Sequence, residues 1–173
     1  MSEIKAELTL YGDLMSAPTR AVHCFLLICQ VPFTFKEVSL IDLEHIQPEY
    51  QEINPGKKVP AMVERGADGS TFKMFESHAI MRYISETRDQ VADNWYPKKD
   101  PVRRARIDEY LDWHHLFLRL GVSGYISEKY QKPFLEQKPR DPKIIGNLRK
   151  TIEKSLNMME NYWLRSGEYL TGS

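Results

Sequence analysis

The chain has 173 residues, 42% hydrophobic and 28% charged, enough for one medium or two small globular units. Its 24 basic residues balance 24 acidic ones, so net charge gives no case for nucleic-acid or membrane-surface binding. No apolar run approaches the roughly 18–20 residues that span a bilayer, and Met1-Ser2-Glu3-Ile4-Lys5 has no apolar core of the kind a secretory signal needs.

Ala6 to Tyr11 reads as a short strand, with Leu8, Leu10 and Tyr11 as its apolar members. After a turn, Pro18 suits the start of a helix, and Ala21, Val22, Phe25, Leu26 and Ile28 make that helix apolar around much of its circumference, hence well buried. Pro32 is expected to end it. Cys24 and Cys29, five apart on this helix, point to different sides and read as reduced, buried residues. Phe33 to Val38 alternates as a second strand, parallel to the first. Ile41 to Ile53 is an irregular helical connection limited by Pro48, and Asn54-Pro55-Gly56 is a turn. Val59 to Arg65 and Phe72 to Phe75 form an antiparallel hairpin, and Ser77 caps a helix carrying Ala79, Ile80, Tyr83 and Ile84.

The first domain is thus residues 1–90, followed by a polar linker at 91–100. Residues 101–173 are helical only. Ile107, Leu111, Leu118, Val122 and Ile126 mark one long helix, and Lys132 to Asp141 is a charged, proline-rich loop. Ile145, Leu148, Ile152, Leu156, Met159 and Trp163 mark a second long helix packed on the first and closed by Gly167. The histidines show no metal-binding spacing: His114 and His115 are adjacent, not four apart.

Three constellations carry chemistry. Ser16 stands just ahead of the first helix, after a strand, where amide N–H groups and the helix dipole favour an anion and a hydroxyl can donate to it; taken alone, it reads as a turn or capping residue. Val59-Pro60, at the entry to a hairpin strand, is a candidate cis peptide. That geometry would turn the Val59 N–H and C=O toward an extended peptide ligand; a trans proline at a strand start is the alternative. Glu76 and Ser77 begin a helix, where the hydroxyl suits a carboxylate and Glu76 an ammonium, together the α-amino-acid end of a ligand; a plain helix cap with an acid is the alternative.

These pieces in this order resemble the cytosolic glutathione transferases, closest to the theta class, over nearly the whole chain. The resemblance rests on S-x-P-x-R at Ser16–Arg20, N-P-x-K-K-V-P at Asn54–Pro60, Glu76-Ser77, W-Y-P at Trp95–Pro97 and R-A-R-x-D-E-Y-L-x-W at Arg104–Trp113. It implies an α/β thioredoxin-like first domain, a partial all-α second one, and a cytoplasmic, homodimeric, detoxifying enzyme with no metal. Such an enzyme conjugates the glutathione thiolate to small, mostly apolar electrophiles. By resemblance, Ser16 hydrogen-bonds the glutathione sulfur and Arg119 falls near the thiol. Lys58, Val59 and Pro60 hold the cysteinyl and glycyl parts, His45 lies near the glycine carboxylate, and Glu76 and Ser77 hold the γ-glutamyl end. Ala17 departs from the glutamine common after the serine. A thiol-disulfide oxidoreductase would need a reactive cysteine where Ser16 stands. A non-catalytic binding or scaffold module is the other reading. The family continues past Thr171-Gly172-Ser173, with a cap for a further helix near Ser173. The short chain is therefore expected to expose apolar surface, to aggregate or pair over it, and to turn over weakly.

Overall fold

The computed structural model describes residues 7–165 and 167–170; the expected cap at Ser173 and the start of the first strand at Ala6 lie outside them. The chain divides into two compact units, 1–98 and 99–173. Among the described residues no helix is long and apolar enough to cross a membrane.

The first unit is built on strands β1 (Glu7–Gly12), β2 (Thr34–Glu37), β3 (Ala61–Arg65) and β4 (Thr71–Phe75), in the order β2-β1-β3-β4. β2 runs parallel to β1, and β3 is antiparallel to both β1 and β4. Strand alternation sends Leu8 and Leu10 of β1 to one face, where they join Val22, Phe25 and Leu26 of helix α1 (Ala17–Ile28) and Ile80 and Ile84 of helix α3 (Ser77–Thr87). Tyr11 and Ala61 serve the other face with Val38, Ile53, Val59 and Tyr50, the last from the short helix α2 (Pro48–Gln51). Val91, within the expected linker, packs into the first core.

Helix α1 departs from expectation at its end and on its back. It stops before Pro32 because Gln30 enters the left-handed region (φ +53°), with Gln30 N–H donating to Leu27 C=O (3.1 Å) and Val31 N–H to Leu26 C=O (2.9 Å). These two bonds close the last turn in a Schellman motif. Only one stripe of the helix is buried: Val22, Phe25, Leu26 and, just past its end, Cys29, whose thiol burial pushes upward. Leu27, Ile28 and Cys24 are exposed, so the expectation of two buried cysteines fails for Cys24. Pro48 opens α2 as its first residue and does not interrupt it.

In the second unit, helix α4 (Pro101–Leu116) is capped by the Asp100 carboxylate, which accepts from Arg103 N–H at 2.9 Å. The expected single long helix breaks at Phe117 (φ −119°, ψ −77°), where helix α5 (Leu118–Ile126) begins. In the sequence Leu118, Val122 and Ile126 continue the spacing of Ile107 and Leu111, which hides the break; in the structure Val122 and Ile126 are exposed. A π turn (Ser127–Gln131) follows, then a short helix α6 (Lys132–Leu135) at the start of the stretch expected as a loop. Lys132 pairs with the buried Glu128 carboxylate one turn earlier, and Glu128 also accepts from Asp141 N–H (3.0 Å). Helix α7 (Pro142–Met158) is capped by Asp141 and packs on α5 as expected, against its glycine side. A β-carbon added at Gly124 would come within 2.8 Å of Leu148. A second π turn (Met159–Trp163) closes the chain of helices at Leu164, ahead of Gly167. Its buried Trp163 meets the Tyr110 ring edge-on at 5.3 Å, with Trp113 at 6.0 Å.

Candidate functional site

The loop bearing Ser16 is set by a close approach of strand and helix. A β-carbon at Gly12 would sit 2.4 Å from Thr19 Cγ2 and 2.8 Å from its Oγ1, so only glycine lets the first turn of α1 lie on the end of β1. Ser16 is the N-cap of α1, and its Oγ accepts from Thr19 N–H at 3.4 Å. The capping reading therefore holds. It uses the hydroxyl as acceptor only, so the O–H remains able to donate to an anion at the helix start. Ser16 N–H donates to Asp13 C=O (2.9 Å), and Arg20 Nη1 donates to the carbonyls of Leu14 (2.6 Å) and Met15 (2.9 Å).

The Val59–Pro60 bond is cis, as the sequence suggested. Pro60 is buried, Val59 half-buried, and the Lys57 and Lys58 side chains are exposed. The segment is bracketed from behind: Tyr50 O–H (2.8 Å) and Asn54 Nδ2 (2.6 Å) both donate to Lys58 C=O, while Asn54 Oδ1 accepts from Gly56 N–H (2.8 Å). Burial pushes the Tyr50 hydroxyl up to about 12, against a smaller opposing pull from its hydrogen bond with Asn54.

At the third constellation the cap is Glu76, with φ +74° and ψ +108°, and Ser77 is the first helical residue. The expectation that Ser77 caps α3 is corrected by one position: the left-handed kink at Glu76 lets the chain turn from β4 straight into the helix. Glu76 is exposed and Ser77 buried.

Strand register brings these pieces together. Tyr11 pairs with Ala61, Ala61 with Phe75, and Gly12 with Glu37. β3 begins, just after Pro60, at the end of the sheet where β1 ends at Gly12 and β4 ends just before Glu76. The Ser16 loop, the cis peptide and the Glu76-Ser77 helix start therefore emerge at the same end of the sheet, as does the segment leaving β2. That segment carries His45 in a 3-10 turn (Glu44–Ile46), half-buried, its Nδ1 without a hydrogen bond among the described residues. Arg119 lies in the second unit as the second residue of α5. Its charge, after burial and His115, helps hold His114 below the usual imidazole range.

Asp13, Tyr50 and Asn54 were not read from the sequence as site residues. Only Asn54 left a signal, the Asn-Pro-Gly turn; Asp13 and Tyr50 act on backbone groups that sequence does not mark.

Residues 6–86 match the family described as glutathione S-transferase, N-terminal domain. Glutathione S-transferase T1 of Arabidopsis thaliana is 39% identical over 168 residues, 96% of this chain and 66% of that protein. The apo form of human glutathione-S-transferase T1-1 superposes with a TM-score of 0.84 at 35% identity, covering 95% of this chain and 66% of that one. Human glutathione transferase theta-2, in complex with glutathione and an unknown ligand, gives 0.83 at 30% identity, over 95% and 65% of the two chains. This chain thus spans about 66% of the length of the curated relative it matches.

Proposed function

Because the chain belongs to the glutathione S-transferase family, theta-like in sequence, we propose that it binds glutathione at the sheet end described above and transfers the thiolate to small, mostly apolar electrophiles. The observation that supports this is the strand register, which brings the Ser16 loop, the Val59–Pro60 peptide and the Glu76-Ser77 helix start to one end of one sheet. In this reading Ser16 O–H donates to the sulfur. Lys58 and Val59, ahead of cis-Pro60, take the cysteinyl and glycyl parts by backbone pairing, and no hydrogen bond from the described residues occupies the Val59 N–H or C=O. His45 faces the glycine carboxylate, Glu76 the ammonium, and Ser77 the γ-glutamyl carboxylate. Arg119 is the second catalytic candidate. The protein acts as a homodimer in the cytoplasm.

A free cysteine thiol titrates at about 8.5, and lowering that by two units stabilises the thiolate by about 2.7 kcal/mol. A hydroxyl donor at a helix N-terminus can supply much of this. The sulfur then forms a bond to the electrophilic carbon and the leaving group departs, with no covalent bond to the protein.

Retention on glutathione resin followed by a conjugation assay tests the reading. Ser16→Ala should raise the pKa of bound glutathione, followed by thiolate absorbance, and slow turnover by roughly 10- to 1000-fold. A protein that binds glutathione without turnover would be a binding module. An unchanged titration would return Ser16 to a plain cap and shift attention to Arg119, tested as Arg119→Ala.

A further inference from the structure

We propose that Asp13 is the positioning residue for Ser16: its buried carboxylate fixes the turn that presents the hydroxyl and registers that turn against the segment leaving β2. The proposal rests on the glutathione reading above and adds a residue to it.

Asp13 is only 6% exposed. Its Oδ1 accepts from Met15 N–H at 2.8 Å, and its Oδ2 accepts from Leu40 N–H at 2.9 Å, across 27 residues of sequence. Its own carbonyl accepts from Ser16 N–H. With Arg20 holding the Leu14 and Met15 carbonyls, the peptide groups running into Ser16 are engaged on both their N–H and C=O sides. An Asx turn alone would need one side-chain oxygen, and asparagine or serine would serve as well. The second oxygen, on Leu40, does something a turn does not require. It ties the Ser16 loop to the stretch where Ser39 N–H donates to Glu44 Oε2 (2.7 Å) and Glu44 N–H to Ser39 C=O (3.0 Å), one residue before His45. One carboxylate therefore couples the loops assigned to the thiol and the glycine end.

The side-chain chemistry is specific. Two N–H donors converge on two carboxylate oxygens as charge-assisted bonds. An amide would satisfy one and turn its NH2 on the other, donor against donor, in a site with little water to mediate. Hydrogen bonds weaken steeply with misalignment, so a small shift of the turn would cost Ser16 its grip on sulfur while leaving the distant peptide contacts in place.

The test uses the whole chain with Asp13→Asn, Ser16→Ala and the double variant. Three quantities are read: the thiol titration of bound glutathione, kcat against KM, and calorimetric affinity for S-methylglutathione, which has no ionisable thiol. Asp13→Asn should raise the bound thiol's pKa by about one unit and lower kcat at neutral pH about tenfold. S-methylglutathione should bind within about threefold of the unsubstituted protein. Adding Asp13→Asn to Ser16→Ala should change the titration no further, since a positioning residue acts only through the group it positions. An unchanged titration in folded Asp13→Asn, or additive effects in the double variant, would overturn the proposal. Should Asp13→Asn fail to fold, Asp13→Ser is the second variant: a serine oxygen can still accept from Met15 N–H, so only the Leu40 contact is given up, and it is judged by the same titration. Failure of the unsubstituted protein to bind glutathione at all would instead remove the functional reading itself.

Discussion

Glu76 shows what the proposed binding site costs at the level of one residue. A non-glycine residue at φ +74° carries on the order of 1–3 kcal/mol of backbone strain, held in place by the structure around it. Two substitutions separate the backbone from the side chain. Glu76→Ala should weaken glutathione binding by roughly 1.5–3 kcal/mol through loss of the carboxylate. Glu76→Gly should lose the same affinity yet melt at a higher temperature, because glycine occupies this region without penalty. A lower melting temperature for the glycine variant would refute the strain. Tyr50 makes a pH-dependent contribution. Its hydroxyl titrates near 10 when unfolded, on the order of the ordinary value, and near 12 in place. The folded pKa is the raised one, so this stability is complete below about pH 10 and is lost as pH climbs through about 12. Tyr50→Phe should remove that alkaline dependence: denaturant titrations at pH 9 and pH 11 should show a loss of stability in the unsubstituted protein that the variant lacks.

Among the elements, the junction of β1 and α1 is the tightest. An added methyl at Gly12 meets Thr19 at its Cγ2, Oγ1 and Cβ, a β-branched side chain with little freedom to move aside. Gly12→Ala should destabilise the protein by about 1–3 kcal/mol in chemical denaturation, and a neutral result would mean the helix can slide off the strand end. The same junction marks how far sequence could be read. Alternation in β1, β2 and the hairpin, and the turn signals at Asn54-Pro55-Gly56, are local, and those elements appear where they were expected. The three chemical motifs were legible for the same reason, as short words in sequence. Their convergence was not, since it depends on register between strands far apart in the chain. Nor was Asp13, whose partners are backbone groups, one of them on another loop. The break at Phe117 stayed hidden because the spacing of Ile107, Leu111, Leu118, Val122 and Ile126 runs on across it in the sequence. The end of α1 was misread because Pro32 is a loud signal and the left-handed Gln30 a quiet one.

The molecule as a whole joins two units with different interiors: an aliphatic core under a mixed sheet in one, and an aromatic cluster of Tyr110, Trp113 and Trp163 among helices in the other. Among the described residues, exposed cleavable cations outside helices and strands include those of three well-separated stretches: Lys57-Lys58, Lys98-Lys99 and Arg140. Exposed irregular backbone is where proteases nick folded proteins. Trypsin should therefore cut this chain at few places, and its fragments can be told apart by mass. The first of the three stretches is the one whose carbonyl is held by Tyr50 and Asn54 and whose outer side is assigned to the peptide. Glutathione should slow scission there and leave the nicks at Lys98-Lys99 and Arg140 at their original rate. A ligand seated elsewhere would leave all three clocks running unchanged, so a timed digest becomes a footprint of the bound tripeptide written by the chain's own lysines.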